Sequence, residues 1–246
     1  GRRIADAMDA LGVETDFTFA EGETRTNLKV VDCVRHTNTD LNEPGFTVTQ
    51  DVLDGMLAAL TNKIQPGDIV VLSGSLPKGA PVNTYGIWAA ACDKAGARVF
   101  LDADGQALQY GLETKPYLVK PNNHELSRLT GRTLDTVEDL LTAARDIIAQ
   151  GVKKVVVSMG GDGALFVSET AAYRAEGLKV PVGSTVGAGD SMVAALAYAT
   201  EQGLDDGETV ALAVATSAAN VMCSGSQAAE RSAVDELLPR VTFCAL

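Results

Sequence analysis

The sequence has few basic residues compared with its acidic ones. Its 246 residues include 20 Lys and Arg against 32 Asp and Glu, which gives a formal net charge of −12. An acidic chain repels the nucleic-acid backbone and anionic membranes, so we expect neither as a partner. A phosphorylated ligand would have to be held by local cations, helix N-termini or a metal ion.

Cysteine and histidine are also scarce. The four cysteines form no C-x-x-C pair, and His36 and His124 are the only histidines. This pattern indicates reduced thiols and argues against a disulfide framework or a zinc site. The sequence also lacks a signal-peptide pattern and any apolar run long enough to cross a bilayer, so we expect a cytoplasmic protein.

Two common nucleotide-binding patterns are missing. No G-x-x-x-x-G-K-[ST] occurs, which excludes a P-loop kinase. The glycine-rich segment Ser158–Gly163 is followed by an apolar run at 164–167 that predicts a strand, whereas a dinucleotide fingerprint must open a helix. The segment therefore argues against NAD binding. It predicts a turn between two strands, either a plain glycine hairpin or a loop that contacts a nucleotide.

What the sequence does contain is a regular alternation of helices and short apolar strands. This alternation predicts an α/β fold in which a mostly parallel sheet lies between helices. Ligands bind such sheets beyond the carboxyl ends of the strands, where the polar and glycine-rich segments of this chain cluster. The predicted strands are 68–72, 98–102, 117–120 and 154–158, and the predicted helices are 49–64, 83–95, 135–150 and 211–223.

Residues 13–48 follow a different pattern. The segment Thr26–Asp32 alternates apolar and polar residues, as a strand with one solvated face does. A polar stretch, Thr37–Pro44, follows it. We expect this strand to belong to a small lid or edge sheet outside the main layer.

The segment Thr185–Ser191 is the strongest local signal for chemistry. Its glycine-containing turn leads into a predicted helix over 192–200, and the free N–H groups and dipole of a helix N-terminus stabilise anions. Asp190 would remain ionised there and could accept a proton from a substrate hydroxyl. The alternative interpretation is that Asp190 is only an N-cap residue.

Four segments resemble the signatures of one enzyme family, the PfkB carbohydrate kinases. Thr185–Met192 closely resembles the second signature of this family, and Lys120–Leu126 resembles its K-P-N-x-x-E-L segment. Val157–Ala164 resembles the S-x-G-x-x-G nucleotide loop, and Ser73–Pro77 resembles the G-S-L-P turn. The segments occur in the family's order and spacing over nearly the whole chain. Together they are far more specific than any one motif.

The resemblance implies a ribokinase-like three-layer α/β fold with a small β lid, and an ATP- and Mg²⁺-dependent kinase. It implies that Asp190 is the catalytic base and that Gly187, Ala188 and Gly189 stabilise the transferred phosphoryl group. The implied nucleotide-binding residues are Lys120, Ser158, Gly160, Gly161, Asp162, Gly163, Thr185, Asn220 and Gly225.

The implied metal residues are Asn122 and Glu125. Their spacing places them on one face of a helical turn, and amide and carboxylate oxygens are suitable ligands for Mg²⁺. The alternative is that they simply open an ordinary helix. For most of the apolar helix 211–223, which contains Asn220, a core role is the competing interpretation.

The segment Gly22–Lys29 indicates the substrate. It resembles the T-R-x-N-x-K strand of 1-phosphofructokinases and tagatose-6-phosphate kinases. Arg25 can bind a phosphate through two hydrogen bonds, and Lys29 lies on the same face of the strand. We therefore expect a sugar phosphate to be bound by Arg25, Asn27, Lys29, Ser75 and Asp190. The expected reaction converts fructose 1-phosphate to fructose 1,6-bisphosphate. Alternatively, Arg25 and Lys29 are solvent-facing charges on an edge strand.

The chain begins at Gly1, within a segment whose apolar spacing predicts a helix. Because the related kinases begin with further strands and a G-G-K-G-x-N sugar loop, we expect one N-terminally truncated kinase domain over 1–246, with part of the β lid in 13–48. The alternatives are a tagatose-6-phosphate or fructose-6-phosphate kinase, an inactive nucleotide-binding fragment and a nicotinamide-dependent oxidoreductase. The resemblance leaves a homodimer through the lid strands open.

Overall fold

The chain divides into two compact units in the computed structural model, which describes residues 1–32, Arg35 and residues 37–246. The first unit comprises Gly1–Lys63 with Leu76–Thr84, and the second comprises Ile64–Ser75 with Tyr85–Leu246. Cys33 and His36, two of the cysteines and histidines considered above, lie outside the described residues. The single kinase domain over 1–246 stays a prediction.

The first unit contains a two-stranded antiparallel sheet. Strand β1 (Asn27–Asp32) pairs with β2 (Thr37–Asn42), with Leu28 opposite Leu41. The sheet is separate from the main sheet, as the alternation over Thr26–Asp32 predicts. Helix α1 (Arg2–Ala10) precedes it and α2 (Gln50–Lys63) follows it. The sequence pattern did not predict β2, because its residues are mostly polar and it is defined by backbone pairing with β1.

The second unit is built on a seven-stranded sheet. Strands β3 to β6 are parallel neighbours, and β6 to β9 continue the sheet as antiparallel neighbours, so the strand order follows the chain order. The sheet is therefore mixed, and its parallel strands come first in the chain. The strands are β3 (Ile69–Ser73), β4 (Arg98–Asp102), β5 (Leu118–Val119), β6 (Lys154–Ser158), β7 (Ala164–Ser168), β8 (Ala172–Ala175) and β9 (Phe243–Ala245).

Seven α-helices connect or cover these strands. Four of them match predicted helices, while α4 and α9 were not predicted and α5 was expected only as a helical turn. The helix α7 begins four residues earlier than the predicted span over 192–200. The helices are α3 (Thr84–Lys94), α4 (Gly105–Leu112), α5 (Asn123–Thr130), α6 (Val137–Ala149), α7 (Ala188–Gln202), α8 (Asp206–Met222) and α9 (Arg231–Leu237).

The start and end of several helices follow from side-chain caps. Thr136 before α6 and Asp205 before α8 form reciprocal capping boxes with the third residue of each helix. These caps satisfy N–H groups that lack an acceptor within the helix. Gly203 ends α7 in the left-handed conformation, which is the usual glycine stop.

The core of the second unit explains why its strands are almost continuously apolar. Val155, Val156 and Val157 of β6 are all buried, so both faces of the sheet are covered, as they are in sheets flanked by helices. On one face, Phe100 and Val156 share a cluster with residues of α7 and α8, including Leu196. Helix α6 packs against β6 and β7.

The parallel strands end together at one edge of the sheet. Ser73 ends β3, Asp102 ends β4, Lys120 directly follows β5 and Ser158 ends β6. Each of these residues leads into a polar or glycine-rich segment. This edge is therefore where the topology brings candidate binding residues together.

Among the described residues, no helix is both long enough and apolar enough to span a bilayer.

The turn between β6 and β7 gives a stability prediction. Gly163 has φ of +97°, and a Cβ there would lie 2.0 Å from the Ala175 carbonyl oxygen. Gly161, two residues earlier, has no heavy atom within 4 Å of its Cβ position. We expect Gly163→Ala to lower the free energy of unfolding by at least about 1–3 kcal/mol, because it adds backbone strain and a clash.

Gly161→Ala is the matched control and should change the free energy of unfolding by less than about 0.5 kcal/mol. Urea unfolding of both variants tests the difference. Equal stability of the two variants would contradict the assigned backbone conformation at Gly163.

Candidate active site

A helix N-terminus with a glycine turn forms the first wall of the candidate site. Gly187 is the N-cap of α7, with φ of +82°, a conformation that glycine adopts without a Cβ penalty. No described side chain caps this turn. The Ala188 N–H donates to the carbonyl oxygen of Thr185 at a long 3.5 Å, whereas the N–H groups of Gly189 and Asp190 have no backbone acceptor among the described residues. These two N–H groups are available to an anion, and the helix dipole adds to their attraction.

Asp190 is the third residue of α7 and is exposed. The N-cap position belongs to Gly187, so the alternative interpretation of Asp190 as an N-cap residue is wrong. Its carboxylate is close enough to Asp102 for its charge to disfavour ionisation of that residue. Asp190 is thus an accessible carboxylate at a helix N-terminus, with a second carboxylate nearby.

Lys120 is a buried cation that lies against the glycine turn. Its side chain is 6% exposed, and its Nζ lies 3.1 Å from Oδ1 of Asp102, whose side chain is 16% exposed. A Cβ on Gly189 would lie 3.3 Å from the same Nζ. The structure therefore brings Lys120, Gly189 and Asp102 together, and it places a positive charge where the free N–H groups of α7 begin.

The electrostatics of Asp102 reflect this crowding. Burial raises the pKa of Asp102, and the charge of Asp190 acts in the same direction. The ammonium of Lys120 and the side chain of Ser73 oppose the rise and favour the ionised form. Asp102 was not among the predicted site residues. The sequence feature that could have identified it is its position as a charged residue at the carboxyl end of a buried strand.

The turn after β3 borders the same edge of the sheet. The Gly74 N–H donates to the carbonyl oxygen of Asp102 at 3.0 Å. The Tyr85 hydroxyl lies 2.8 Å from the carbonyl oxygen of Ser73 and 3.0 Å from that of Gly74. Ser75, a predicted substrate-binding residue, follows this turn and is exposed. Tyr85 was not singled out in the sequence.

Asn122 and Glu125 form a capping box at the start of α5. Oδ1 of Asn122 accepts from the Glu125 N–H at 2.8 Å, and Oε2 of Glu125 accepts from the Asn122 N–H at 2.8 Å. This is the alternative role that the sequence left open for both residues. No cluster of three or more His, Cys, Asp or Glu suited to a metal ion occurs in the described part of the chain. The magnesium role stays a prediction.

The glycine-rich loop after β6 lies beside Asn122. The Ser158 N–H donates to the carbonyl oxygen of Pro121 at 3.1 Å, and Asn122 forms a parallel β-bridge with Ser158. The segment Gly160–Asp162 forms one 3₁₀ turn. The loop and the K-P-N segment are therefore neighbours. A nucleotide-binding role for Ser158, Gly160, Gly161, Asp162 and Gly163 stays a prediction.

Asn220 adjoins the glycine turn from α8. It is 4% exposed, and its Oδ1 lies 3.4 Å from the position of a Cβ on Gly187. Its Nδ2 donates to the carbonyl oxygen of Gln227, while Oδ1 is buried without a hydrogen-bond partner among the described residues. The core interpretation of this helix agrees with the burial of Asn220. Gly225 lies beyond the end of α8 and is exposed.

The remaining predicted substrate residues lie in the first unit. Asn27 begins β1, Lys29 pairs with Asp40 across the small sheet, and Arg25 precedes the strand. Arg25 and Asn27 are exposed, and Lys29 is half-buried. Their roles stay predictions.

Comparison with known proteins gives the family. The pfkB family carbohydrate kinase pattern matches residues 1–233. The 1-phosphofructokinase of Rhodobacter capsulatus is 47% identical over 197 residues, which cover 80% of this chain and 62% of that protein. The 1-phosphofructokinase of Bacillus subtilis is 36% identical over 241 residues, which cover 98% of this chain and 78% of that protein.

A solved structure gives the same result. The crystal structure of phosphofructokinase-2 from Escherichia coli in complex with substrates and products has a TM-score of 0.91 and 30% identity. The match covers 97% of this chain and 78% of that one. Another structure of that enzyme is described as its tetrameric inhibited form.

These findings confirm the predicted family and the ribokinase-like α/β fold. This chain spans 62% of the length of the first relative and 78% of the second. The match over residues 1–233, together with the fold and the four motifs, leads to one conclusion: the chain belongs to the pfkB family of carbohydrate kinases.

Proposed function

We propose that the second unit carries an ATP-dependent phosphoryl-transfer site and that the acceptor is fructose 1-phosphate, giving fructose 1,6-bisphosphate. The observation that carries this proposal is the position of the buried Lys120 ammonium against the Gly187–Gly189 turn, next to the exposed carboxylate of Asp190. An anion-binding element and a proton acceptor are thus adjacent. The names of the relatives support the choice of acceptor.

Phosphoryl transfer requires the protein mainly to position the reacting groups and to neutralise the charge of the phosphoryl group. The N-terminal N–H groups of α7 and the Lys120 ammonium offset the negative charge of the transferred phosphoryl group. The acceptor hydroxyl attacks phosphorus while the bond to ADP breaks, and Asp190 takes the hydroxyl proton. Asp190 lies in the first turn of α7 and is exposed, so its carboxylate is accessible to that hydroxyl.

Asp102 holds the cation in this arrangement. The Lys120 ammonium is largely buried and lies 3.1 Å from the Asp102 carboxylate, so this ion pair fixes the position of the cation. The pair also places a negative charge close to Asp190. We propose that Asp102 positions Lys120 and does not itself react.

Magnesium is the metal that the family resemblance implies. Asn122 and Glu125 supply an amide oxygen and a carboxylate, which are donors that Mg²⁺ accepts directly or through water. The only side-chain oxygen of Asn122 and one carboxylate oxygen of Glu125 accept the capping hydrogen bonds, while the second carboxylate oxygen of Glu125 is outside the capping box. The two residues therefore fit the ion in a partly hydrated site. When bound, it neutralises ATP phosphate charge.

Four residues are proposed to bind the sugar phosphate: Arg25, Asn27, Lys29 and Ser75. The guanidinium of Arg25 supplies the bidentate phosphate contact that an acidic protein needs. The runner-up acceptors are tagatose 6-phosphate and fructose 6-phosphate. The similarity to phosphofructokinase-2 from Escherichia coli, solved in complex with fructose-6-phosphate, supports the second of these. An inactive nucleotide-binding fragment is the remaining alternative, and a homodimer through the lid strands remains a prediction.

The direct test is ADP release with MgATP and each of fructose 1-phosphate, fructose 6-phosphate, tagatose 6-phosphate and ribose. We expect the highest kcat/KM with fructose 1-phosphate. Preference for another sugar phosphate would keep the kinase and replace the substrate. If ATP bound but no sugar supported turnover, the inactive fragment would be the better account.

Asp190→Asn tests the proposed base. Because only the proton acceptor is lost, we expect kcat to fall by about 10²–10⁴-fold while the affinity for ATP stays nearly unchanged. Steady-state kinetics and ATP titration measure both. Asp51→Asn, which also removes an exposed acidic residue from the first turn of a helix, is the control, and this variant should keep wild-type turnover. Near-wild-type turnover of Asp190→Asn would exclude this residue as the base.

Asp102→Asn tests the buried ion pair. It leaves the Lys120 charge buried without its partner, so we expect a loss of about 3 kcal/mol in the free energy of unfolding and weaker ATP binding. Asp146 pairs with Arg132 on the surface, and Asp146→Asn should cost less than about 1 kcal/mol. Denaturant titration compares the two. Equal losses would show that the Asp102 pair is no more important to stability than a surface pair.

A further inference from the structure

Tyr85 is a buried tyrosine whose hydroxyl is directed at backbone and not at solvent. It lies in the first turn of α3 and is 9% exposed. Its hydroxyl lies within hydrogen-bond distance of two successive carbonyl oxygens, those of Ser73 and Gly74. A phenol has one proton, so the two carbonyls share a single donor.

The turn that Tyr85 contacts is also held from its other side. The Gly74 N–H donates to the carbonyl oxygen of Asp102 at 3.0 Å, and the side chain of Ser73 interacts with the Asp102 carboxylate. The turn is thus fixed between β4 and α3. The next residue, Ser75, is exposed.

The environment keeps the Tyr85 hydroxyl a donor. Burial raises the pKa of Tyr85, and the nearby negative charge of Asp102 raises it further. The phenol therefore remains protonated at neutral pH. A carboxamide or water at this place would satisfy the same carbonyls, but neither would be fixed by the packing of an aromatic ring in the core.

We propose that Tyr85 is a positioning residue for the sugar-phosphate acceptor, which acts by fixing the Ser73–Gly74 turn and thereby the place of Ser75. The inference rests on the proposed function, in which Ser75 binds the acceptor. Tyr85 does not touch the substrate. It limits the conformations of the turn, so that the Ser75 hydroxyl is already placed when the acceptor arrives.

Tyr85→Phe removes the hydroxyl and keeps the ring, so it isolates the hydrogen bonds from core packing. We expect the KM for fructose 1-phosphate to rise about tenfold, while the KM for ATP changes less than about twofold, because neither Ser73 nor Gly74, the residues that the Tyr85 hydroxyl contacts, is proposed to bind the nucleotide. Tyr110→Phe is the matched control. Tyr110 lies on α4, is exposed and has no hydroxyl hydrogen bond among the described residues. The kinetic constants of Tyr110→Phe should therefore equal those of the wild type.

A double-mutant cycle separates positioning through Ser75 from a general loss of structure. In a Ser75→Ala background, Tyr85→Phe should raise the KM for the acceptor by less than about twofold, because the residue it positions is gone. An additive tenfold rise in that background would overturn the proposal. An unchanged acceptor KM in Tyr85→Phe alone would also overturn it.

Hydrogen exchange at the Gly74 amide provides a readout that does not need turnover. It should be faster in Tyr85→Phe than in the wild type and unchanged in Tyr110→Phe. If the wild type turned over no sugar phosphate, the proposed function would fail. The exchange rates would then still decide whether Tyr85 holds the turn. Equal rates in all three proteins would overturn the inference, whatever the kinetics.

Discussion

The contact between the Lys120 ammonium and the Asp102 carboxylate constrains the whole candidate site. Both groups are largely buried, so each depends on the other for most of its charge compensation. The pair ties the end of β4 to the residue that follows β5. It also places a positive charge against Gly189, where a Cβ would lie 3.3 Å from the lysine Nζ and would crowd it.

The topology of the second unit explains why these groups meet. Parallel strands place all their carboxyl ends at one edge, and the register pairs Ser73 with Asp102 across that edge. The N-terminus of α7 adds N–H groups and a favourable dipole. A chain with a net charge of −12 can thus build a local site for anions without a basic surface. The proposed mechanism uses this local reversal of charge.

Much of the fold could be predicted because its strands are short, apolar and punctuated by glycine or proline. The strands β4 and β6 occupy the residues that the apolar pattern indicates. The polar strand β2 and the short strands β8 and β9 could not be found this way, because backbone pairing defines them and not an apolar run. The helix α4 was also missed.

The candidate site also contains some residues that the sequence predicts and others that it does not. Asp190, Lys120 and the glycine turn follow from local motifs, and the structure brings Lys120 and the turn together. Asp102 and Tyr85 carry no motif, since their importance depends on neighbours that are 18 and 12 residues away in the chain. For Asn122 and Glu125, local chemistry fitted both a metal site and a helix cap, and the structure contains the cap.

The most direct test of this account compares the affinities of ATP and AMP in the wild type and in Lys120→Met. AMP lacks the γ-phosphoryl group whose negative charge Lys120 is proposed to offset. The wild type should bind ATP at least about tenfold more tightly than AMP, since a buried charge-assisted contact contributes roughly 1.5–3 kcal/mol. Lys120→Met should lower this preference for ATP by about tenfold, while the α7 N–H groups keep any remainder. If Lys120→Met kept the wild-type preference for ATP, the buried lysine would not be the phosphate-binding group, and the proposed site would be wrong.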